Sequence, residues 1–153
     1  MSKYFSLSEL TRSIIAVHRG IPNDPNEEQI KDIRRLMDYL DKVREAFGRA
    51  IIVTSGFRSE RLNAAIGGSK TSQHMKGQAA DIRTVDFKEL RQLFDLIRKV
   101  GGFDQLIYEH PAGRAPWIHV SIAPTTRAPR GEVMEYDGKR YTTMKKPINP
   151  NTL

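Results

Sequence analysis

A single α+β domain, a small antiparallel sheet with helices packed on one face, is what this sequence predicts, and three observations predict it. The chain has 153 residues, enough to bury a real core as one domain. Its apolar residues follow a helical period in some stretches and a strand-like run or alternation in others. Two strand-like runs, 105–109 and 117–122, are separated only by a short loop of turn-forming residues, which favours an antiparallel hairpin over a helical crossover.

In order along the chain, Ser6-Leu7-Ser8-Glu9 fits a capping box, and Leu7, Leu10, Ile14 and Val17 follow at helical spacing. This predicts one helix reaching to about Arg19. A loop rich in Pro and Asn leads to Asn26, the expected cap of a long helix with Ile30, Ile33, Met37, Leu40, Val43 and Phe47 on one face and Gly48 at its end. The β-branched run 50–54 reads as a buried strand that delivers Arg58 to a strand-end loop, and Ser59 then caps a short helix. On spacing alone an ordinary surface salt bridge explains Arg58 equally well.

Residues 67–77 lack periodicity and read as a loop carrying His74, after which Gly77 lets the backbone turn into a strand with Ala80 and Ile82 on one side and Asp81 on the other. Asp86 starts a further helix whose buried face is expected from Phe87, Leu90, Phe94, Ile97 and Val100. In the hairpin a symmetric loop pairs Glu109 with Trp117 and Ile107 with His119. Glu109, Trp117, His119 and Ser121 then share one face, while Leu106, Tyr108, Ile118, Val120 and Ile122 form the core face. A basic, proline-bearing connector follows, then two short runs flanking Asp137-Gly138 as a second hairpin at the sheet edge. The tail 145–150 is expected to be extended or disordered.

Composition narrows the chemistry. With no cysteine, disulfides, iron–sulfur clusters and thiol catalysis are excluded, and a transition-metal site must be built from His and carboxylates. The net charge of +7 favours an anionic partner, either an anionic cell envelope or nucleic acid. The basic residues are spread along the chain rather than gathered with aromatics, so no nucleic-acid partner is expected. The N-terminus lacks the apolar core of a signal peptide, and no apolar run reaches membrane-spanning length. A protein made in the cytoplasm without membrane insertion is therefore expected, and it is expected to be a monomer.

Two stretches carry the chemistry, 72–81 with His74 and Asp81, and 117–121 with His119. Two imidazoles and a carboxylate are the three protein ligands a catalytic zinc takes, with a fourth position left for water. His74 and Asp81 taken alone are equally explained by a hydrogen bond.

Ser72-x-His74-x-x-Gly77-x-Ala79-x-Asp81 with the later Trp117-x-His119 resembles the zinc D-alanyl-D-alanine carboxypeptidase family of peptidoglycan metallopeptidases, which includes phage endolysins. The similarity extends to 54–59, Leu62-Asn63 and 103–107, roughly four-fifths of the chain. The resemblance implies the hedgehog/D-Ala-D-Ala metallopeptidase fold, with residues 1–123 as the zinc metallopeptidase core and 124–153 as connector, hairpin and tail of the same domain. It implies Zn2+ as cofactor, with His74, Asp81 and His119 as its ligands and Arg58 beside the substrate carbonyl. Ser72, Gln73 and Trp117 would shape the substrate site, and the substrate would be a peptidoglycan stem peptide cleaved at the cell wall, in the setting of a phage lysis protein. A non-catalytic particle or wall-binding module of the same fold is the rival implication, and a basic nucleic-acid-binding protein is the more distant one.

One position departs from the family pattern. Many members carry the general base, a Glu, three residues before the last His, where this chain has Pro116. Proline cannot accept a proton. Glu109 lies on the His119 face of the hairpin, and phage-type members resemble this chain in ending the equivalent strand with Glu. Glu109 is therefore the expected base. His110 beside it reads as an exposed turn residue, a spare ligand or a proton donor.

Overall fold

A computed structural model describes residues 2–144, and the expected extended tail lies outside the described residues. The N-terminal stretch forms two helices where the sequence predicts one. Ser6 and Glu9 close the capping box over α1 (Leu7–Thr11), and Arg12 then turns extended. Ser13 starts α2 (Ile14–Arg19) by accepting the Ala16 amide at 3.1 Å. A serine that can satisfy a helix-start N–H competes with continuation of the preceding helix. Here it wins, so that Leu10 is buried while Ile14 and Val17 face solvent.

The long helix α3 (Glu27–Phe47) has the expected cap, end and apolar stripe, except that Ile30 is only partly buried and Leu36, not expected on that face, is buried. Asn26 and Gln29 form its capping box, Gly48 ends it in the left-handed conformation, and it buries Ile33, Leu36, Met37, Leu40, Val43 and Phe47. β1 (Ile51–Ser55) and α4 (Glu60–Ala65) come next, the latter capped by Ser59. A 3-10 turn at Gln73–Lys76 precedes β2 (Ala79–Thr84). Asp86 caps a second 3-10 turn at Phe87–Glu89, and α5 (Leu90–Val100) begins only after it. The turn displaces the buried face to Leu90, Leu93, Phe94 and Ile97 and leaves Phe87 and Val100 exposed, against expectation.

β3 (Gln105–Glu109) and β4 (Trp117–Ser121) form the expected hairpin, with Glu109 opposite Trp117 and Ile107 opposite His119. β2 pairs with the other edge of β4, so the strands run in the order β1-β2-β4-β3 before the C-terminal pair is added. That pair, β5 (Glu132–Tyr136) and β6 (Tyr141–Thr143), extends the sheet to six strands. β5 lies parallel to β3, because the connector returns to the start of that strand, where Glu132 N–H donates to the Asp104 carbonyl at 2.9 Å. The expected Asp137-Gly138 turn is a longer one. Tyr136 pairs with Tyr141, and the Asp137 carboxylate accepts the Lys139 and Arg140 amides, each at 2.8 Å.

The fold is thus a single small α+β domain with an open sheet and helices. One sheet face, carrying Ala80, Ile82, Leu106, Ile118, Val120 and Val133, joins the core with the apolar residues of α3 and α5. Strand alternation sends Asp81, Glu109, Trp117 and His119 to the other face.

Candidate metal centre

His74 reaches the centre from the 3-10 turn, and Gly77 makes that turn possible. Gly77 adopts φ +75°, and a Cβ there would lie 2.7 Å from both the Gln29 carbonyl oxygen and Ile33 Cγ1 of α3. Only glycine gives both the left-handed backbone and the close approach. The turn is also tied to the β1–α4 loop, where Arg58 N–H donates to the His74 carbonyl at 3.1 Å. The His74 ring is buried, and its Nδ1 lies 2.8 Å from the Gly56 carbonyl. A carbonyl acceptor requires a proton on Nδ1, which leaves Nε2 as the ring's free lone pair.

Asp81 and His119 are direct partners in the β2–β4 ladder. Asp81 Oδ1 lies 3.4 Å from His74 Nε2 and 3.3 Å from His119 Nδ1, and the two rings meet edge to face at 5.2 Å. One ligand atom from each of the three residues falls within a 4.8 Å group. Zinc takes N and O ligands at about 2.0–2.2 Å, so neighbouring corners of its tetrahedron stand roughly 3.3 Å apart. The two Asp81 separations have that spacing. The donors are two imidazoles and a carboxylate with no thiolate, a set that suits zinc.

The family model for peptidase M15 matches residues 3–121. The chain belongs to the peptidase M15 family. Peptidases of this family are zinc-dependent, and this one carries a His-Asp-His group able to hold the metal. No curated protein sequence matches the chain.

Of the other predicted site residues of this M15 peptidase, Glu109 and Arg58 lie within electrostatic reach of the three converging groups. Burial on its own would raise the Asp81 carboxyl pKa, but the His74 imidazole, followed by His119, more than offsets it and holds the group below the ordinary range. Glu109 lies next to Trp117 across β3 and β4. Burial raises its pKa above the usual glutamate value, the Asp81 charge adds to the rise, and His119 opposes it. Glu109 is therefore within electrostatic reach of the centre without belonging to the converging group.

Arg58 is half-buried, and burial weakens its hold on its proton while Asp81 and Glu109 favour its charge. Its Nη2 reaches Ser72 Oγ at 3.4 Å, and its Nε–H is buried with no hydrogen-bond partner. The Trp117 indole N–H is likewise buried and makes no hydrogen bond of good geometry, although it lies near enough to Glu109 to favour that carboxylate's charge. The Arg58 Nε–H is thus a buried donor with an unused hydrogen bond near the converging groups.

Gln73 is engaged elsewhere. Its amide nitrogen donates to Asp104 at 2.9 Å, so it bears on the His74 turn by anchoring it. Sequence reasoning assigned Asp104 no role, yet its fully buried carboxylate also accepts from Arg127 and Arg130, each at 2.7 Å at the nearest. The Arg127 hydrogen bonds hold its pKa far below the ordinary range, with Arg130 assisting against the opposing cost of burying the charge. The available signal was an acid directly ahead of an apolar strand, matched by two arginines three apart in a proline-bearing connector. His110 is exposed and lies 3.7 Å from Glu135, outside the converging group.

Proposed function

We propose that this chain is a zinc peptidase of bacterial peptidoglycan stem peptides, acting as a D-Ala-D-Ala carboxypeptidase or an L-alanyl-D-glutamate endopeptidase, in the setting of a phage lysis protein working at the cell wall. The observation that carries the reading is that Asp81 Oδ1 stands 3.4 Å from His74 Nε2 and 3.3 Å from His119 Nδ1, each the edge length of a zinc tetrahedron, within a three-residue group of potential ligands. His74, Asp81 and His119 hold the metal. Zinc held there would supply Lewis acidity toward the scissile carbonyl and the attacking water.

Glu109 takes the proton from the attacking water as the new C–O bond forms, then delivers it to the leaving amine nitrogen as the C–N bond breaks. Its raised pKa suits both halves of that exchange. Arg58, with a spare Nε–H, stabilises the negative charge that develops on the carbonyl oxygen. Ser72 orients the Arg58 guanidinium, Gln73 anchors the His74 turn, and Trp117 stands beside Glu109 with its indole N–H favouring the carboxylate. Among the described residues, those up to 123 form the peptidase core of a monomer, with 124–144 completing the same domain.

The basic net charge of +7 suits an anionic envelope substrate. Digestion of purified peptidoglycan with and without chelator, with the released peptides weighed by mass spectrometry, tests the proposal. Chelator-sensitive release is expected, and the product masses name the bond. Wall binding without any release, with zinc present, would instead favour the non-catalytic module that Pro116 leaves as the rival.

A further inference from the structure

The register of the sheet carries one row of side chains out of the metal centre and across the C-terminal hairpin. Trp117 pairs with Glu109, Glu109 with Tyr136, and Tyr136 with Tyr141. Directly paired residues share a sheet face, so all four point to the side that carries Asp81 and His119. The row beside it runs from His119 through Ile107 and Met134 to Thr143. The last two strands of both rows lie beyond residue 121, where the M15 match ends.

Tyr136 and Tyr141 stack with centroids 4.3 Å apart and planes 22° from parallel, yet Tyr141 remains 58% exposed. An aromatic ring held open on the face that carries the metal ligands offers a flat apolar surface to whatever substrate extends across that face. The tyrosine pair is fixed in place, because His110 N–H donates to the Tyr136 carbonyl at 2.8 Å.

We propose that Tyr136 and Tyr141 form a subsite for a pyranose ring of the amino-sugar strand that carries the stem peptide. The subsite rests on the peptidoglycan reading above and names the part of the substrate that the M15 core does not hold. Two strand spacings separate Tyr141 from Glu109, about 10 Å, the length of roughly three extended residues. Substrate at that distance lies well beyond the scissile bond. In the two rows, Met134, Tyr136, Tyr141 and Thr143 carry no formal charge, and the charged side chain further along the same face of β5 is an acid, Glu132. A stem peptide presents carboxylates and would call for cations there. A sugar ring presents a flat C–H face to an aromatic ring and hydroxyls to phenol and threonine oxygens.

The test is titration of the full chain with a soluble N-acetylglucosamine oligomer, read by the tyrosine ring resonances in NMR and repeated with an isolated stem peptide. Saturable shifts at Tyr136 and Tyr141 are expected with the oligomer and not with the peptide. Tyr141→Ala should weaken oligomer binding about tenfold and Tyr141→Phe by much less. Equal affinity in wild type and Tyr141→Ala, or shifts at these rings with the peptide alone, overturns the proposal. Because β6 is exposed, unchanged amide spectra elsewhere serve as the check on folding in each variant. The titration needs neither metal nor turnover. Oligomer binding without peptidoglycan cleavage would sink the peptidase reading alone, and cleavage without oligomer binding would sink the subsite alone.

Discussion

His74 and Gly56 are joined by a hydrogen bond of 2.8 Å between imidazole Nδ1 and the backbone carbonyl, and that bond decides which nitrogen faces Asp81. The Gly56 carbonyl can be moved without touching a ligand. A Cβ at Gly56 would collide with the backbone of Leu10. Gly56→Ala is expected to weaken zinc binding roughly 10–100-fold, the usual effect of losing a partner behind a ligand. His74→Ala should weaken it more. Competition against a chromophoric chelator measures both, and an unchanged affinity in Gly56→Ala would show that the carbonyl does not orient the ring.

Glu109→Gln keeps the shape of the side chain and removes its basicity. The variant should bind zinc as wild type does, while its cleavage rate falls about 10²–10⁴-fold. Steady-state hydrolysis alongside metal analysis checks this, and a wild-type rate removes Glu109 from the role of base.

Asp104 predicts a pH dependence of stability. Its carboxyl pKa is depressed in the folded chain by Arg127, Arg130 and Gln73. The native state therefore binds its proton less readily than the unfolded state. The resulting stability is fully present above the ordinary aspartate pKa of about 4 and drains away as pH falls toward the folded value. Asp104→Asn should lower stability at neutral pH by about 1–3 kcal/mol and flatten the acid limb. Urea unfolding at several pH values would show it, and parallel acid limbs in the two proteins would refute it.

Gly77→Ala combines left-handed strain with contact against α3. It should lose about 1–3 kcal/mol, seen as a lower melting temperature. If the His74 turn is pushed off α3, zinc affinity should fall with it.

Much of this architecture is local and can be read from the chain. The long α3 declares its cap, its stripe and its Gly48 stop. The Glu109–Trp117 register follows from a symmetric loop. What eludes sequence reasoning is decided by competition or by distance. Ser13 outbids a continuing helix through one side-chain hydrogen bond, and the 3-10 turn at Phe87–Glu89 rotates the face of α5. The parallel β3–β5 joint and the Asp104 cluster depend on where a connector returns, which no local pattern encodes. At the site, the convergence of His74, Asp81 and His119 can be read as a motif, whereas the Gly56 acceptor is a backbone atom and leaves no trace in residue type.

The β2–β4 ladder bears on the order of assembly. β4 meets β3 through a nearby hairpin, but it meets β2 only after the intervening chain, with all of α5, has closed over the sheet. Contacts of such long sequence separation form at a large entropic cost and tend to come late in folding. Asp81 and His119 face each other across that late junction. A metal captured there binds the finished sheet in preference to any half-folded one, so its mass-action stabilisation falls on the step the bare chain finds hardest.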